Sequence, residues 1–84
     1  MTKPAKRVRV QYFAILREQR GLALETVSTS AGTAGELYAE LSSRHGFTLA
    51  AERLRAAVND EFAPWTAALR DGDTLVFIPP LAGG

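Results

Sequence analysis

From Arg7 the chain alternates, with Val8, Val10 and Tyr12 on one face and Arg7, Arg9 and Gln11 on the other. A period of two predicts a half-buried strand. Residues 1–5 ahead of it read as a frayed tail ending at Pro4. Next, Phe13, Ile15 and Leu16 precede a charged patch closed by Gly21, the pattern of a single helical turn with a C-cap glycine. Leu22, Leu24 and Thr26 then share one side of a second alternating run, Leu22–Ser28. The period changes after Thr33. Leu37 and Leu41 stack at i and i+4, and Ala34 and Tyr38 widen the stripe. Thr33 with Glu36 three residues on has the spacing of a capping box, so the main helix starts there. Gly46 supplies its left-handed end, and Phe47 is placed to contact the last turn.

The second half is read strand by strand. Leu54–Val58 predicts a short strand stopped by Asn59 and Asp60, and Phe62–Leu69 reads as an edge segment or turn around Pro64 and Trp65. Asp71-Gly72 turns the chain into Thr74–Ile78, which is apolar on both faces and so belongs in the middle of a sheet. Pro79 and Pro80 donate no ladder hydrogen bonds and end it. The sum is an α+β class, ββαβ plus a last central strand: a mixed sheet of four to five strands on one main helix. Residues 1–84 form a single domain, with 79–84 an extended C-terminal tail.

Composition narrows the function classes. Apolar residues are 46% and charged residues 23% of 84 positions, close to the usual ~45–50% and ~25% of globular domains. The net charge of +1, with eight arginines scattered among acids, offers no basic field for nucleic acid. No run approaches the ~18–20 apolar residues of a membrane span, and the start has no signal-peptide h-region. A cytoplasmic protein is the expectation. The absence of cysteine removes a disulfide framework, a thiolate metal site and a Cys nucleophile.

Candidate chemistry concentrates in Ile78–Gly84, IPPLAGG. Two prolines favour extended geometry at ~3.1 Å per residue, a stiff exit from the sheet. Gly83 and Gly84 lack a Cβ and fit a channel where side chains would clash. A rigid base, a short arm and a slim tip suit a carboxylate inserted into another protein. A carboxylate becomes attackable once AMP supplies a leaving group, and a sulfur nucleophile that displaces AMP leaves a thiocarboxylate. Tethered sulfur then has a high effective concentration in any site accepting the tail. With no P-loop, phosphate cradle or metal cluster in the sequence, the chain is a carrier whose partners do the catalysis.

The first strand running into FAILRE, the AVN turn at Ala57–Asn59, LRDGD at Leu69–Asp73 and VFIPPLAGG at Val76–Gly84 come in an order similar to that of the MoaD family, the small subunit of molybdopterin synthase. ThiS, the thiamine carrier, and ubiquitin are more distantly similar. The resemblance implies a β-grasp, ubiquitin-like fold. It implies that Gly84 is adenylated by a MoeB-like, E1-type enzyme using ATP, and that a cysteine desulfurase or rhodanese-type donor then supplies sulfur. It further implies that the thiocarboxylated tail enters a MoaE-like large subunit, which holds the catalytic residues, and donates sulfur to cyclic pyranopterin monophosphate. On that pattern Gly83 gives clearance and Ala82, Leu81, Pro80 and Pro79 insert with it. Phe13 and Phe77 are the candidate docking groups. No metal or cofactor is expected on this chain.

Other readings use the same tail: a sulfur carrier for thiamine thiazole, tRNA thiolation or cysteine synthesis, a ubiquitin-like modifier joined through Gly84, or an inert interaction module. His45 reads as a helix-end residue rather than a metal ligand. Trp65 and Tyr38 read as core or rim aromatics, and Asp71 with Asp73 as turn chemistry. Lys3 and Lys6 could accept a conjugate, but exposed N-terminal lysines are common and need no function, and Arg17 and Arg20 near Glu18 read as a solvated turn rather than a rim for an acidic surface.

Overall fold

The computed structural model describes residues 5–80. Strand β1 (Lys6–Tyr12) is followed by helix α1 (Ala14–Arg20), β2 (Leu24–Thr29), helix α2 (Ala34–His45), a 3₁₀ turn (Ala51–Arg53), β3 (Arg55–Val58), β4 (Glu61–Ala63) and β5 (Thr74–Ile78). The sheet order is β2-β1-β5-β3-β4. Only the β1–β5 pair is parallel, with Tyr12 opposite Phe77; the other pairs are antiparallel. A mixed sheet wrapped on one long helix is the β-grasp arrangement expected above. The all-apolar run takes the central place, because β5 is flanked by β1 and β3 and so is covered along both edges.

The inner face is set by the alternation. Val8, Val10 and Tyr12 of β1 and Leu75 and Phe77 of β5 meet Ala34, Leu37, Tyr38 and Leu41 of α2. Leu16 of α1 closes one end. An aromatic cluster joins the layers: the Phe77 ring lies 4.9 Å from Tyr38 edge-on and 6.0 Å from Trp65, and Phe47 lies 5.7 Å from Tyr12. Phe47 therefore folds back over the last turn of α2, as its place after Gly46 predicts; Gly46 is left-handed with φ 71°.

Helix α2 begins as the sequence indicates, with one change of partner. Thr33 Oγ1 accepts from the Glu36 amide at 3.2 Å, but the Glu36 carboxylate accepts from Gly32 N, one residue before the cap, at 2.9 Å. Two further amides of the first turn are taken by the loop after β4. Ala34 N donates to Ala67 O and Gly35 N to Trp65 O, at 3.1 and 2.8 Å. Residues 64–68 are thus a backbone cap for the helix, and β4 at Glu61–Ala63 is the edge segment.

Turns fix the far end of the sheet. Asn59 and Asp60 have φ of 51° and 71° between the paired Val58 and Glu61, a two-residue hairpin with the twist that sheets favour. Asn59 Oδ1 accepts from Thr74 N, tying that hairpin to the start of β5. Asp71 accepts from Arg7 N and Asp73 from Arg70 N, each at 2.8 Å, so both carboxylates serve the backbone as expected. Lys6 Nζ donates to Ala31 O and Leu69 O. That lysine is occupied in holding loops together, which removes it as an acceptor for conjugation.

Candidate docking site at the root of the tail

The outer face of the sheet has no helix on it, and pairing places its residues in rows. One row crosses all five strands: Leu24, Gln11, Val76, Ala57 and Phe62. Towards the tail, Ile78 pairs with Arg55. Away from it the same face carries Arg7, Arg9, Thr26 and Ser28. The face is therefore split, with the apolar half on the side where β5 runs into Pro79 and Pro80. A hollow of about 280 Å³ lies in that half, lined by Gln11, Phe13, Ala57, Asp60, Phe62, Val76 and Ile78.

Two large apolar groups there remain open to solvent. Phe62 is 69% exposed and Phe13 43%, and Leu24 beside them is exposed as well. The chain reaches Phe13 at the end of β1 and then turns through Ala14, whose φ of 53° is left-handed and uncommon for a residue with a Cβ. Phe13 is thus left accessible on this face. Phe77, the other candidate docking group, is not. It is 0% exposed and faces α2, because β5 alternates and its outward residues are Val76 and Ile78. An all-apolar strand gives no polar position from which to read the phase, so the residue pattern does not show that Phe77 faces the core rather than a partner.

Phe62, the most exposed large apolar residue, was missed for a related reason. It follows the hairpin turn by two residues, and its outward direction is decided by pairing with Ala57 rather than by any local pattern. Beside it the Arg55 guanidinium carbon lies 5.5 Å from the ring centroid. Of the tail residues expected to insert, Pro79 is half-buried and Pro80 exposed. Leu81, Ala82, Gly83 and Gly84 lie outside the described residues.

The one polar cluster with shifted titration stands at the β2 edge. Glu25, on the inward side of β2, accepts from Tyr12 Oη at 2.7 Å and from Arg20 Nε and Nη2 at 2.7 and 2.9 Å. The Arg20 hydrogen bond holds the Glu25 carboxyl below its usual value. Burial, then Glu25, pushes the Tyr12 phenol well above its own. Burial, with Arg20 and Arg44 adding to it, lowers His45, which ends α2 against the Phe47 ring at 5.9 Å. Arg20 is therefore committed to Glu25 rather than free at a rim. Among the described residues no group of three or more His, Cys, Asp or Glu could hold a metal ion, and no helix is long and apolar enough to cross a membrane.

Comparison with known proteins bears on this geometry. The profile of the ThiS family matches residues 10–84. The chain is 36% identical over 81 residues to the molybdopterin synthase sulfur carrier subunit of Mycobacterium tuberculosis, covering 93% of this chain and 98% of that one. It is 34% identical over 80 residues to the subunit of the same name from Escherichia coli, covering 92% and 99%. Among solved structures, the complex of subunits 1 and 2 of molybdopterin-converting factor from Helicobacter pylori contains a similar chain. It is 28% identical with a TM-score of 0.62, covering 93% of this chain and 99% of that one. The matched region spans β5, the exit at Pro79–Pro80 and the tail, and on that extent the chain belongs to the ThiS family, alongside the molybdopterin synthase sulfur carrier subunits.

Proposed function

We propose that this protein is the sulfur-carrier subunit of a molybdopterin synthase. The observation that carries the reading is the near full-length likeness to curated sulfur carrier subunits, 34% and 36% identical. The geometry supports it: a central strand anchored on both edges leads through two prolines to the tail, and an uncovered apolar half-face surrounds that exit.

In this reading the Gly84 carboxylate attacks the α-phosphate of ATP in a separate E1-type enzyme. Pyrophosphate leaves, and an acyl-adenylate forms. The outer sulfur of a persulfide on a desulfurase or rhodanese-type donor displaces AMP to give an acyl disulfide, and a second thiol cleaves it reductively, leaving the thiocarboxylate and a disulfide. The tail then enters a large subunit, where the sulfur bonds to a carbon of cyclic pyranopterin monophosphate as a C–O bond there breaks, and water cleaves the acyl–sulfur bond to return Gly84 as a carboxylate. The carrier contributes position. β5 cannot slide, because its register is fixed by β1 on one side and β3 on the other. Four residues, Leu81 to Gly84, follow the prolines in the sequence.

The test is reconstitution. Synthetically thiocarboxylated protein is mixed with the large-subunit homologue of the same organism and the pterin precursor. Dithiolene formation, stoichiometric with carrier consumed, is the expected result. Failure to form it, with a control carrier active in the same assay, overturns the reading.

A further inference from the structure

Arg55 has no role in the carrier chemistry above, yet its place is unusual. It opens β3 on the outer face, opposite Ile78, and is the one cation that strand pairing puts in the apolar half of that face among the described strand residues. Its guanidinium carbon stands 5.5 Å from the Phe62 ring centroid. The two ion pairs among the described residues, Arg20–Glu25 and Arg44–Glu40, do not involve it. A second hollow, of about 410 Å³, has Arg55, Phe62, Ile78, Pro79 and Pro80 in its lining, with the oppositely charged Glu52 and Arg53 beside them. The cation and the ring therefore flank the root of the tail.

An exposed Arg over an aromatic ring gains a weak cation–π attraction, which favours one side-chain direction. Arg55 is itself exposed to solvent. Any protein that draws the tail in must pass a surface over this hollow and remove that solvent. A cation covered by apolar surface and left unpaired is costly, whereas a carboxylate matches the planar fork with two charge-assisted hydrogen bonds. On the other flank of β5, Phe13 and Leu24 offer apolar area alone.

We infer that Arg55, propped by Phe62, is a charged docking pin: the protein that receives the tail places a carboxylate against it, and this contact fixes which way round the partner sits. The inference rests on the carrier reading and specifies the chemistry of the receiving surface, apolar over β1 and β2 and acidic over β3 and β4.

The test measures binding of the full-length carrier to the large-subunit homologue by titration calorimetry at low and high salt, with thermal midpoints as a check on folding. Arg55→Gln is expected to weaken binding roughly tenfold or more, since it leaves the partner's carboxylate unpaired. Arg55→Glu weakens it further, and Arg55→Lys restores part of the loss because the charge returns without the fork. The wild type loses affinity with salt more steeply than Arg55→Gln. Phe62→Leu, which keeps apolar area but removes the ring, costs less affinity in the Arg55→Gln background than in the wild type. Arg55→Gln and Arg55→Glu binding as tightly as wild type, with the same salt dependence, overturns the pin. If wild type binds and supports dithiolene formation while these variants match it, only the pin fails. If wild type does not bind at all, the carrier reading fails and the pin with it.

Discussion

Phe62 and Phe77 are the same residue type on neighbouring parts of one sheet, and they have opposite duties. Phe77 is fully buried among Tyr38, Trp65 and Tyr12. Phe77→Ala is expected to cost about 3–5 kcal/mol by emptying that space, a large part of the ~5–15 kcal/mol that holds a domain folded. Phe62→Ala removes a ring that is mostly in water and should change stability by less than about 0.5 kcal/mol. Chemical denaturation of both variants separates the roles. Similar losses in the two would mean that Phe62 is packed rather than presented.

At the scale of elements, the close approach of α2 to the loop after β4 is the least forgiving contact. A Cβ on Gly35 would lie 3.2 Å from the Trp65 carbonyl oxygen, which is also the acceptor for the Gly35 amide. Gly35→Ala should destabilise by about 1 kcal/mol from crowding, although alanine gains about that much over glycine in an unconstrained helix. A stabilised variant in a urea titration would show that residues 64–68 yield. The β2 edge adds a pH dependence. His45 and Glu25 both have lowered pKa values in the fold, from ordinary values of 6.5 and 4.5. In each case the unfolded chain binds the proton more readily, so stability is complete above those ordinary values and falls as pH drops through the lowered ones. Thermal midpoints should therefore decline below pH 6.5 and again below 4.5, and His45→Gln should remove the upper decline. A flat profile across both ranges would contradict this. Elements of this kind were legible where period and caps agree: β1, α2 with Thr33 and Gly46, and the central position of β5 follow from the residue pattern. Helix α1 runs to seven residues where a single turn is predicted, because Leu16 reaches the core and Arg20 is fastened to Glu25. The outward phase of β5, the burial of Phe77 and the exposure of Phe62 were not legible. They are set by which strand lies beside which: Phe77 pairs with Ala56 and with the distant Tyr12, and Phe62 with Ala57 across the hairpin, and none of these pairings leaves a mark in the residue pattern.

At the scale of the molecule, the fold acts as a mount. A five-stranded sheet holds β5 on both edges, two prolines lead out of it, and half of one face is left uncovered around that exit. Glu25, Asp71 and Asp73 are occupied with structure, and the reactive group of the proposal is the C-terminal carboxylate of Gly84. One residue added after Gly84 should then abolish sulfur loading without altering the thermal midpoint, since the core ends before Pro79. The most direct measurement is the intact mass of the full-length protein after incubation with an E1-type adenylating enzyme, ATP, a persulfide donor and a thiol reductant, with the C-terminal fragment sequenced by tandem mass spectrometry. A single exchange of oxygen for sulfur at Gly84, absent from the extended variant, is the predicted result. An unchanged terminus, or an isopeptide remnant of the tail on lysines of other proteins in place of the exchange, would contradict it.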